Sequence, residues 1–69
     1  MAEPRTRAFL RELCAEREIG PDELARLARS SVHTASAWLR PYDNASARNP
    51  PNAVVELVCI KLGVRPPFT

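Results

Sequence analysis

At 69 residues, with 45% hydrophobic and 26% charged side chains, the chain reads as one small globular domain and not as a disordered tail. Ten Lys+Arg against eight Asp+Glu leave a formal charge of +2, which permits a polyanionic partner without demanding one. The shortness excludes most enzymes that need a deep, dry pocket, and the apolar run from Ala53 to Ile60 is broken by Glu56, which excludes a membrane span.

Met1-Ala-Glu-Pro-Arg5 has no apolar stretch behind its charges, which predicts no secretory signal and a cytoplasmic chain. Pro4 suits the first turn of a helix. Ala8, Phe9, Leu10, Leu13 and Cys14 then form one stripe, with Arg7, Arg11, Glu12 and Arg17 expected to face water. Ile19-Gly20-Pro21 ends this segment. Asp22 and Glu23 sit in the first turn of a second, two-turn helix, where carboxylates match the positive end of the helix dipole. Its apolar face is Leu24, Ala25, Leu27 and Ala28.

A third helix starts at Ser30 or Ser31, both good caps. Ala35, Trp38 and Leu39 recur at helical spacing on one side, and Val32, His33, Ser36 and Ala37 lie away from that stripe. Pro41 stops it, and a polar loop runs to Asn49. Asn49-Pro50-Pro51-Asn52 predicts a cap with prolines just inside the start of a last helix over about residues 51–62. Gly63 is placed to close that helix, and Val64 to fold back on its end. No strand-like alternation or repeat is present. The expected fold is all-α, a single four-helix domain over 1–69.

The chemistry-bearing residues are few. His33 is the single histidine, and no Gly-rich phosphate loop occurs. Cys14 and Cys59 lie far apart, with no second Cys or His at ligand spacing. Both fit as small core residues, not as zinc ligands or a bridge. No catalysis, metal or cofactor is implied. Charge is instead distributed unevenly. Residues 1–23 hold six acids and four bases, whereas residues 24–69 hold six bases and two acids. All bases but Lys61 are arginine, whose rigid fork of donors matches phosphate.

Residues 19–39 combine two short amphipathic helices with a connection of about three residues, Arg29-Ser30-Ser31. Ala25 falls where the helices approach, and Leu24, Ala28, Ala35 and Trp38 can form the seam between them. That is helix-turn-helix spacing, in which the second helix enters the DNA major groove. The stretch Ile19 to Leu39 resembles the XRE, or Cro/phage-repressor, helix-turn-helix family. The Asp-Glu-Leu-Ala run at 22–25, Ser31 as cap and Trp38 at a frequent aromatic position carry the likeness. Arg48-Asn-Pro-Pro-Asn-Ala-Val-Val-Glu-Leu57 is similar to the proline-led apolar helix that follows this motif in small phage and plasmid regulators. Short anti-CRISPR-associated repressors share this order of parts, and the likeness spans residues 19–62.

The resemblance implies base contacts at Val32, His33, Ser36 and Ala37. None of these is Arg, Gln or Asn, so the readout would rest on His33 at guanine and on Val or Ala at a thymine methyl. Arg29 stands where the family usually has glycine, which predicts either a looser turn or an arginine with φ > 0. Arg29 and Arg40 bracket the helix and are expected at phosphates. Arg48, near the start of the last helix, is a third such candidate. Ser30, Ser31, Thr34 and Tyr42 complete the phosphate set. Trp38 is expected in the core.

The last helix carries apolar residues round most of its circumference, more than one core-facing stripe needs. A chain of this length without disulfide or metal is also expected to oligomerise. A two-fold homodimer through Val54, Val55, Val58, Leu62 and Phe68 is therefore expected. The functional expectation is a homodimeric DNA-binding regulator, with double-stranded DNA as partner and a phage or mobile-element repressor as the resemblance implies. Its rival is a module that uses the same scaffold to bind a host protein or to act as an antitoxin. The acidic first helix and modest net charge favour that rival.

Overall fold

Four helices follow one another as α1 (Arg5–Glu16), α2 (Pro21–Ala28), α3 (Val32–Leu39) and α4 (Asn52–Leu62). The computed structural model describes residues 4–41 and 47–67, and no strand occurs among them. Each boundary has a local cause. Pro21 occupies the first turn of α2, followed by Asp22 and Glu23. Ser31 caps α3 by accepting a hydrogen bond from the Thr34 backbone N–H at 3.1 Å. Pro51 is extended and caps α4 with its carbonyl, which accepts from the N–H groups of Val54 and Val55 at 3.0 and 3.2 Å. Both prolines thus precede α4 and do not enter it. A residue before proline is pushed out of the helical region, which holds Pro50 outside.

Three helices end alike. After α1, α2 and α4 the chain turns through a left-handed residue, Glu18 (φ 54°), Arg29 (φ 56°) and Gly63 (φ 70°). The next N–H in each case returns to a carbonyl five residues back: Ile19 to Cys14, Ser30 to Ala25, and Val64 to Cys59, all at 2.8–2.9 Å. Only Gly63 adopts this conformation without a steric cost; for Glu18 and Arg29 the cost is about 1 kcal/mol each. Arg29 therefore holds the tight turn with positive φ.

The end of α3 is different. Arg40 is extended (φ −68°, ψ 153°), and Pro41 has no N–H to turn back onto the helix. The carbonyls left open at this end are taken instead by Arg7, which is fully buried. Its guanidinium donates from Nη1 to the carbonyls of Trp38 (3.0 Å) and Arg48 (2.5 Å) and, more weakly, Ala37 (3.4 Å). Its Nη2 donates to the carbonyl of Arg40. Arg7 thus does not face water, contrary to expectation. Its spacing with Leu10 and Cys14, three and seven residues on, places it on the buried face of α1.

The core collects Leu10, Leu13 and Cys14 of α1, Ile19 of the connection to α2, Leu24, Ala25 and Ala28 of α2, Ala35 and Trp38 of α3, and Val55, Val58 and Cys59 of α4. The small residues Ala25, Ala28 and Ala35 let α2 and α3 approach closely, and Trp38 fills the space beside them. α2 also packs on α4, and α1 packs on α3 and α4. Lys61 of α4 donates to the Leu27 carbonyl at 2.8 Å, placing a cation at the negative end of α2. Cys14 and Cys59 are buried free thiols. Among the described residues no helix is long and apolar enough to cross a membrane.

Candidate functional site

Local sequence places three features of the candidate face. The Ser31 cap starts α3, so Val32, His33 and Thr34 occupy its exposed first turn. The left-handed Arg29 sets the angle at which the chain leaves α2 and enters α3. Pro41 ends α3 at Arg40, eight residues on, a span of about 12 Å. Arg29 is exposed before one end of α3, and Arg40 is half-buried at the other.

The segment 47–50 then folds back along α3. The Arg48 backbone N–H donates to the Ala37 carbonyl at 3.1 Å, and the Arg48 carbonyl accepts from Arg7. This return brings the exposed Arg48 next to α3, where sequence reasoning had set it only by the start of α4. His33, Thr34, Ala37, Arg40 and Arg48 line a cleft of about 290 Å³. The Thr34 hydroxyl oxygen accepts from Ser31 Oγ at 2.9 Å, which leaves its own proton to donate outward.

The remaining candidates divide by burial. Val32 is 48% exposed and His33 is exposed, while Ser36 is half-buried. Ala37 is a correction. It is only 5% exposed, because segment 47–50 and the Arg7 side chain cover it, so its methyl group cannot reach a partner's surface. Ser30 is half-buried and donates to the Ser31 carbonyl, and Ser31 is exposed at its cap. Tyr42 lies outside the described residues.

On α4, Val55 and Val58 are a second correction. Both are completely enclosed by the chain's own core and have no surface to offer a second copy. They face α1 and α2 because those helices close over α4 within the protomer. Val54 and Leu62 are half-buried, and Phe68 lies outside the described residues. Ile60, which the sequence did not single out, is 65% exposed and is the large apolar side chain that α4 turns outward.

Arg7, buried behind the candidate face, is the residue that sequence reasoning missed, since its partners are main-chain carbonyls 30 to 41 positions away. Its spacing with Leu10 and Cys14 was the available signal. Two wider grooves flank α1. One, of about 550 Å³, runs between Ala8, Arg11, Glu12, Ala15, Ile19 and Leu39, and the other, of about 500 Å³, between Arg5, Phe9, Arg65 and Pro66. Among the described residues no group of three or more His, Cys, Asp or Glu side chains gathers as a metal site. Burial, helped by the negative charge of Glu23, pushes the Cys14 thiol up to about 11, and burial also raises Cys59. Neither is an activated nucleophile. No protein-family model matches the chain, and no curated protein or solved structure is significantly similar to it.

Proposed function

We propose that this chain is a sequence-specific, double-stranded DNA-binding regulator that acts as a homodimer, with α2 and α3 as its helix-turn-helix. One observation carries the proposal. A short helix with an exposed first turn follows a tight left-handed turn, and arginines stand on both sides of it and along its return segment. In this arrangement α3 enters the major groove. His33 offers a ring nitrogen to a base edge, Val32 offers a methyl face to thymine, and Ser36 lies at the margin of the contact. Arg29, Arg40 and Arg48, with Ser31 and Thr34, meet phosphates and supply sequence-independent affinity. The second copy places its own α3 one DNA turn away, about 34 Å, which predicts an inverted repeat. The contact between copies would use the exposed Ile60 of α4. The repressor of a phage or mobile element fits this size and order of parts, by occlusion of a promoter.

The inward position of Ala37 narrows the base-reading face and favours a second reading, a module that docks on a host protein or serves as an antitoxin. A gel-shift titration against the DNA upstream of the gene, with scrambled competitor at two salt concentrations, separates the two. The regulator gives a competitor-resistant shift that weakens steeply with salt. No shift at micromolar protein would sink it and promote the protein-binding module.

A further inference from the structure

We infer that Arg7 is a positioning residue for the DNA-binding face: from inside the core it sets where segment 47–50 lies against α3. Arg48 is gripped at both polar groups of its backbone. Its N–H donates to the Ala37 carbonyl at 3.1 Å, and its carbonyl accepts from Nη1 of Arg7. The same Nη1 donates to the Trp38 carbonyl at 3.0 Å, and Nη2 donates to the Arg40 carbonyl. One planar group thus fixes the end of α3 and the returning segment to each other. Its own place is fixed by α1, which Leu10, Leu13 and Cys14 seat in the core.

Capping α3 accounts for the contacts of Arg7 to Trp38 and Arg40, since a helix end needs donors for its last carbonyls. It does not account for the contact to Arg48, which lies on a segment outside the helix. That reach turns a cap into a clamp. A guanidinium holds its donors at fixed angles in one plane, so it dictates direction as well as proximity. Arg7 is completely buried and touches no partner itself, so its effect on binding passes through the backbone it holds. Backbone set in advance leaves less to be ordered at the moment of binding, which favours affinity. What the face binds rests on the regulator proposal; the clamp itself does not.

The test uses the ¹⁵N-labelled full-length chain and Arg7→Lys, which keeps a buried donor for α3 and with it the fold. In wild type the Arg48 amide should exchange at least about ten-fold more slowly than in a free peptide. Arg7→Lys should lose that protection while the Val58 amide of α4 stays protected. Titration with a duplex of the upstream DNA should show affinity about five-fold weaker in Arg7→Lys and a salt slope lower by about one. Val58→Ala, which destabilises the core from α4, should leave both unchanged for the folded fraction. In an Arg48→Gln background, Arg7→Lys should lower the slope no further, because the residue it acts through is already gone. An unprotected Arg48 amide in wild type would overturn the clamp. Wild-type affinity and slope in Arg7→Lys, equal losses in Val58→Ala, or additive effects of Arg7→Lys and Arg48→Gln would overturn the positioning role and leave the regulator standing. A protected Arg48 amide that Arg7→Lys releases, with no duplex binding by wild type, keeps the clamp and removes the regulator.

Discussion

Nη1 of Arg7, in the first turn of α1, lies 3.0 Å from the carbonyl oxygen of Trp38, at the end of α3. This contact spans 31 positions of sequence and replaces the local closure that Pro41 denies to α3. It makes α1 part of the candidate site, although α1 contributes nothing to its surface.

Arg7→Met is therefore expected to cost about 3 kcal/mol of stability, since it leaves buried carbonyls without their donor. Urea unfolding followed by circular dichroism measures this. Arg7→Lys should recover only part of the loss, because a single ammonium cannot span the carbonyls of Trp38, Arg40 and Arg48 as a planar fork does. Wild-type stability in Arg7→Met would mean that the α3 terminus needs no such partner.

Arg29 and Glu18 make a matched pair, for both hold left-handed backbone at a helix end. Glycine at either position should raise stability by about 1 kcal/mol. The pair should separate in binding. Arg29→Gly should also weaken every DNA sequence alike and lower the salt slope by about one, whereas Glu18→Gly should leave affinity unchanged. Equal DNA affinity for the two variants would remove Arg29 from the phosphate contacts.

Cys14 gives a pH signature. Its thiol stands near 11 in the folded chain, raised by burial and then by Glu23, against 9.0 as the ordinary value. The folded state thus favours the protonated form. That stability is fully present below pH 9 and is lost as pH rises towards 11, a decline of about 2 kcal/mol. Urea midpoints at pH 8, 9, 10 and 11 should show it, and Cys14→Ala should flatten the curve from a lower starting point. Native protein at pH 8 should react with iodoacetamide far more slowly than unfolded protein. Parallel curves for wild type and Cys14→Ala would contradict the burial argument.

Ile60 and Leu24 distinguish the proposed interface from the core. Ile60→Asp should turn a dimer into a monomer by sedimentation velocity, with helical content retained, because the side chain is 65% exposed in the protomer. Leu24→Ala, at a fully buried position, should cost about 3 kcal/mol without altering the association of the folded fraction. A dimer that survives Ile60→Asp would move the interface off this face of α4.

The helix boundaries and much of the core were legible without coordinates. Pro21, Ser31, Pro41 and Gly63 act within a residue or two of where they stand, so α2, α3 and the end of α4 follow from local chemistry. The stripes Leu10–Leu13–Cys14 and Leu24–Ala25–Ala28 are buried as their spacing requires. The left-handed turn at Arg29 was one of two forms that an arginine in a glycine position allows. Arg48 was legible as a candidate by its charge, but not as a neighbour of His33.

What side-chain patterns could not carry was decided by the packing of distant segments. Arg7 is drawn inward by carbonyls, which every residue possesses and no sequence pattern distinguishes. Ala37 is covered because segment 47–50 returns over it, and Val55 and Val58 are enclosed because α1 and α2 close on α4. The sequence by itself determined where helices begin and end, since caps and prolines act on adjacent backbone. Only the tertiary structure decided which faces remain outward, because burial depends on which distant segments pack against one another.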